Sequence, residues 1–94
     1  MLSQIPINLE KVDPKDLDKE ILRVAIIAEL DATSFYEQMA SMTGSENLKK
    51  VLLEVAREEK THVGEFQALL LKEDEEQEQE LVKGKAEVDE LTKS

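Results

Sequence analysis

A chain of 94 residues and 10.7 kDa is one small domain, and folding alone hides only about 60–65% of the surface its unfolded form exposes, so a partner subunit, a metal or both are expected to supplement the core. Three aromatic residues (Phe35, Tyr36 and Phe66), no Trp and 36% charged residues leave little bulk for a sandwich or barrel and suit long amphipathic helices. The net charge of −10 repels phosphate backbones and anionic bilayers, which disfavours nucleic acid and membranes as partners and favours cations. The absence of cysteine removes disulfides, thiolate metal sites and iron–sulfur clusters. The longest apolar run, Val24 to Ala28, is far too short to span a bilayer, and the amino terminus lacks a signal-like stretch. A soluble, cytoplasmic protein is expected.

Residues 1–13 read as an irregular arm containing Pro6. Asp13-Pro14-Lys15-Asp16 is a helix start, with Asp13 as N-cap and Pro14 in the first turn. No Gly or Pro then intervenes before Met42. Gly44 is expected to supply a left-handed C-cap, and Ser45 to cap a second helix running to about Lys72. So short a connection makes residues 14–72 an antiparallel helical hairpin. Residues 73–94 form an acidic carboxy-terminal segment with nine acidic residues against three lysines. Asp74 with Gln77 makes a capping box for a short third helix, which Gly84 is expected to end or kink.

Leu48, Leu52, Val55, Phe66 and Leu69 follow alternating four- and three-residue steps along one seam. Continuing those steps through the gap lands on Glu59 and His62. The first helix gives Leu22, Ala25, Ala32 and Met39, interrupted at Glu29 and Tyr36. A second apolar set on that helix, including Val24, Ile27, Leu30 and Phe35, is more than one partner helix can cover, so oligomerisation is expected. Met39 and Met42 are assigned to core packing.

Glu29 lies fifteen residues before Gly44 and Glu59 fifteen after it, which places both at one height of an antiparallel hairpin. His62 shares the helical face of Glu59. No Lys or Arg occupies either seam nearby, and unpaired buried carboxylates are costly, so a metal cation is expected. Carboxylate oxygens with one imidazole suit iron or manganese, with zinc also compatible. One hairpin supplies too few ligands for two ions, whereas a symmetric pair supplies four carboxylates and two histidines, the di-iron carboxylate pattern. Glu37, Glu58 and Glu65 are assigned to the surface or to secondary cation contacts.

Glu29, Tyr36 seven residues later, and Glu59-Lys60-Thr61-His62, on a single pair of helices with an acidic carboxy-terminal segment, resemble the ferritin-like and rubrerythrin-like iron motif, and most closely the encapsulated ferritins. The resemblance implies an all-α fold in which the hairpin, with its short carboxy-terminal helix, dimerises into a ferritin-like four-helix bundle. It implies a ferroxidase that oxidises Fe(II) to Fe(III) with dioxygen at a di-iron site between subunits, with Glu29, Glu59 and His62 as ligands and Tyr36 contacting or orienting them. Asp31, in the acidic neighbourhood of the first ligand, is implied as a further metal residue of an entry site, whereas Ala28 departs from the family's acidic residues there. Also implied are a homodimer, an annular decamer, an encapsulin shell protein as partner and a place inside an encapsulin nanocompartment for iron storage and detoxification. Calcium or zinc is expected to substitute for iron in preparations. Because the chain stops at Lys93-Ser94 without an apolar targeting peptide, truncation or fusion to the shell protein is expected. Two other readings remain open from the residues: a non-catalytic helical interaction module, and a rubrerythrin-like peroxidase.

Overall fold

The computed structural model describes residues 8–93, so most of the expected amino-terminal arm lies outside the described residues. Two 3₁₀ turns, Leu9–Lys11 and Pro14–Asp16, lead into helices α1 (Leu17–Met42), α2 (Glu46–Glu73) and α3 (Glu75–Leu91). Among the described residues there is no β-strand.

Asp13 does cap, accepting the Lys15 N–H at 3.1 Å, but the turn it closes is a 3₁₀ turn. The α-helix starts three residues later than expected. Pro14 cannot donate a backbone bond, and the Asp16 and Leu17 amides reach back three residues to Asp13 and Pro14. The α1–α2 connection also differs from expectation, because no glycine has a positive φ. Reversal comes from extended backbone at Thr43 and Ser45. The Thr43 hydroxyl accepts the Ser45 N–H at 3.1 Å, and the Ser45 hydroxyl accepts the Leu48 N–H at 3.2 Å. Gly44 is therefore not a left-handed cap.

Small residues set the hairpin's contact line. Ala40 and Ala56 are each 1% exposed, with Leu70 close behind at 6%, and no large side chain is fully buried among the described residues. This line is rotated from the expected seam, since Leu48 and Leu69 are exposed while Ala56 and Leu70 face inward. Leu52, Val55 and Phe66 of the expected seam stay part-buried beside the fully buried Ala56. Met42, expected in the core, is 82% exposed at the turn.

Asp74 joins α2 to α3. Its N–H donates to the Leu70 carbonyl at 2.9 Å and completes α2, while its carboxylate accepts the Gln77 N–H at 3.0 Å and starts α3. Because that N–H is already used by α2, the reciprocal half of the expected capping box is not needed. The other carboxylate oxygen accepts from Arg23 of α1 at 2.9 Å, which ties the corner to the hairpin. Beyond the corner α3 projects outward: the radius of gyration is 16.6 Å, against about 12 Å for a compact domain of this length. α3 runs through Gly84, which neither ends nor interrupts it, and a Cβ built there meets no atom within 4 Å.

Two outcomes follow from these contacts. Gly84→Ala should stabilise α3 by about 0.5–1 kcal/mol, read as increased helicity and slower amide exchange in residues 75–91. The Gln77 N–H, assisted by the Arg23 and Lys19 charges, holds the Asp74 carboxyl below its ordinary range against the opposing effect of desolvation. A depressed carboxyl stabilises the folded state fully above its unfolded value of about 3.9, and the contribution is lost as pH falls through the lower folded value. Amide protection at Gln77 should therefore persist at pH 5 and weaken in stronger acid, and Asp74→Asn should abolish that pH dependence.

Candidate metal centre

Three side chains meet at mid-height of the hairpin. Glu29 comes from α1, and Glu59 and His62 from successive turns of one face of α2. The His62 Nδ1 lies 3.4 Å from the Oε2 of Glu29 and 3.4 Å from the Oε2 of Glu59. One ligand atom from each of the three residues lies within 4.8 Å of the others. Both glutamate side chains are about four-fifths buried, at 20% and 19% exposure, whereas His62 is 44% exposed.

These distances exceed good hydrogen bonds, and a single nitrogen cannot donate well to both carboxylates at once. The ion pairs of Glu29 and Glu59 among the described residues run only to His62. Two acidic groups converging inside the hairpin without a lysine or arginine are better satisfied by a multivalent cation than by one imidazole. The oxygen-rich set with a single nitrogen fits iron, manganese or zinc and excludes the thiolate-selective sites.

The site is asymmetric across the hairpin. His62 is displaced about 60° around α2 from Glu59, toward the flank that carries Ile21, Phe35, Val51 and Leu69, all of them exposed apolar residues. A shallow cleft of about 230 Å³ lies on that side of α1, lined by Ala28, Asp31, Ala32, Phe35 and Tyr36. Asp31 is buried, but it is not one of the three clustered metal-ligand candidates. Tyr36 faces the same cleft, with its ring edge-on to Phe35 at 5.9 Å and 70°. Thus the structure brings Glu29, Glu59 and His62 together and leaves Asp31 and Tyr36 beside them.

Two features at this level were not singled out in the sequence. Thr33, buried one turn after Glu29, donates its hydroxyl to the Glu29 carbonyl at 2.9 Å. On the flank away from His62, the Lys60 Nζ reaches the Glu37 Oε2 at 3.0 Å. Glu37 is therefore one half of an interhelical ion pair. Nothing in the spacing announces Thr33, whereas Lys60 beside Glu59 was visible as a basic residue within the motif.

The geometry is that of a ferritin-like helical hairpin whose middle carries a cluster of two carboxylates and one imidazole that could hold a metal ion. The rubrerythrin family model matches residues 20–93, and the chain belongs to that family. It is 60% identical over 94 residues to a ferritin-like–encapsulin shell fusion protein of Pyrococcus furiosus, a match covering 98% of this chain and 27% of that protein. The chain thus spans about a quarter of that relative's length. The crystal structure of the encapsulated ferritin domain from Pyrococcus furiosus superposes with a TM-score of 0.83 at 58% identity, covering 98% of this chain and 96% of that one.

If the two carboxylates are held together against their own repulsion, Glu29→Gln should raise the thermal midpoint of the metal-free protein. It should also remove most of the added stability that a divalent ion confers, which is about 2.7 kcal/mol at a hundredfold excess over Kd. Calorimetry of the wild type and variant with and without Co(II) checks both signs.

Proposed function

We propose that this chain is a ferroxidase that works as a homodimer or larger assembly, with Fe(II) and dioxygen as substrates and Fe(III) as product. The observation that carries the reading is the cluster of Glu29, Glu59 and His62, half the ligand set of a two-iron site, opening onto an apolar flank that a single hairpin leaves uncovered. An isologous pairing through that flank brings a second copy of each ligand to the same centre, for four carboxylates and two imidazoles. Family membership supports iron as the metal, and calcium and zinc are expected substitutes in preparations.

In this mechanism the carboxylates neutralise the charge of the incoming ferrous ions and favour the ferric state, which binds harder oxygen donors more strongly. Two ferrous ions give up one electron each, and dioxygen accepts both with two protons from water, leaving as hydrogen peroxide with two hydroxides left behind. Holding two irons at one centre lets both reduce the same dioxygen molecule. Asp31, buried in the adjoining cleft, adds negative charge that attracts cations toward the ligands. Tyr36 orients the ligand set from the same cleft.

The similarity to a shell-fused domain supports an encapsulin shell protein as partner; in the proposed reading the chain works there as an annular decamer, inside an encapsulin nanocompartment in the cytoplasm, where oxidised iron is stored and ferrous iron detoxified. Among the described residues no helix is long and apolar enough to cross a membrane.

Oxygen consumption and ferric absorbance after mixing anaerobic Fe(II) with aerobic protein test the reaction. Glu59→Ala and His62→Ala should each lower the initial rate at least tenfold. Rates equal to the wild type in both variants would overturn the assignment. Native mass spectrometry should show metal shifting the population toward dimers and rings, and chelation reversing it.

A further inference from the structure

We infer that the Glu37–Lys60 ion pair is a positioning device for the metal centre, tying the two helices so that Glu59 and His62 keep their aspect toward Glu29. This inference rests on the metal-binding reading of those three residues. Lys60 follows Glu59 directly and lies about 100° from it around α2. Glu37, eight residues after Glu29, lies about 80° from it around α1. Because the helices are antiparallel, both displacements point to one flank, and there the Lys60 Nζ meets the Glu37 Oε2 at 3.0 Å. His62 is displaced to the opposite flank. His62 and the ion pair thus lie on the two opposite flanks of the hairpin.

A cross-tie matters here because of what lies between the helices. The most buried residues of the contact line are Ala40 and Ala56, whose methyl groups permit close approach and offer no large knob against rolling at those points. Rolling α2 about its axis carries the Glu59 and His62 side chains away from Glu29, and metal affinity is sensitive to such displacement. Among the described residues, apart from Glu29–His62 within the cluster itself, the other ion pair joining α1 to the far part of the chain is Arg23 with Asp74, at the α2–α3 corner. Glu37–Lys60 holds α2 at the residue next to Glu59, reaching it from Glu37, about two helical turns from Glu29 toward the α1–α2 connection. The two side chains are 46% and 59% exposed, so the effect is modest and screened by salt.

A direct field effect and a positioning effect differ in sign. Lys60 is a cation near a cation site, so its charge alone opposes metal binding, while the charge of Glu37 alone assists it. Removing Lys60 would then strengthen binding and removing Glu37 would weaken it. If the pair positions the ligands, both removals weaken binding.

The test is anaerobic titration of the purified protein with Co(II), followed through its visible absorption bands, for wild type, Glu37→Gln, Lys60→Met and the swapped double variant E37K/K60E. Helix content by circular dichroism verifies that each is folded. Both single variants should bind Co(II) about two- to fivefold more weakly at low salt, with the difference shrinking at high salt, and the swapped pair should recover most of the affinity. Tighter binding by Lys60→Met, unchanged binding in both single variants, or failure of the swap to recover affinity would overturn the inference while leaving the site itself standing. A wild type that binds no Co(II) would take down the metal-site reading and this one together.

Discussion

The interaction on which this molecule turns is the approach of two carboxylates, Glu29 and Glu59, to one imidazole inside a hairpin only two helices thick. Two helices can surround a polar group on two sides but cannot close over it. The glutamates are therefore largely buried while His62 remains partly open. Such an arrangement is unsatisfied electrostatically and unfinished sterically. A cation addresses the first deficiency and a second copy of the chain the second, and in the proposed assembly the same contact supplies both.

Ala40 and Ala56 are the most buried residues of the hairpin, while some larger apolar side chains, Ile21, Phe35, Val51 and Leu69, remain exposed. Burying such residues is worth about 1.5–3 kcal/mol each when complete, and one hairpin collects only part of that. In the proposed assembly, stability and chemistry are coupled through this flank. α3 stands apart from both, carried outward by a corner in which a single residue, Asp74, caps two helices and binds Arg23.

Much of the architecture was legible in the sequence because the signals are local. Uninterrupted helical runs, Ser45 and Asp74 as caps, and the brevity of the Thr43–Ser45 connection act over a few residues, and each is found in the structure. The three proposed ligands were legible for a different reason: they replace apolar residues in a periodic stripe at equal distance from a short turn, so chain geometry alone brings them together. Local signals misled where two conformations of similar energy compete. Asp13 and Pro14 start a 3₁₀ turn as readily as an α-helix, extended Thr43 and Ser45 reverse the chain without a left-handed glycine, and the penalty for Gly84 is too small to stop a 17-residue helix.

Composition, periodicity and the spacing of Glu29, Glu59 and His62 were therefore enough to determine an all-helical hairpin with a carboxylate–histidine cluster, since each depends on intervals along the chain. The rotation of the helices about their own axes was decided only in three dimensions. It moved the contact line onto Ala40 and Ala56, turned Leu48 and Leu69 outward, buried Thr33 and joined Lys60 to Glu37 across the hairpin. That rotation follows from how closely two particular surfaces can pack, which is a property of side-chain shape summed over both helices and is written in no single interval of the sequence.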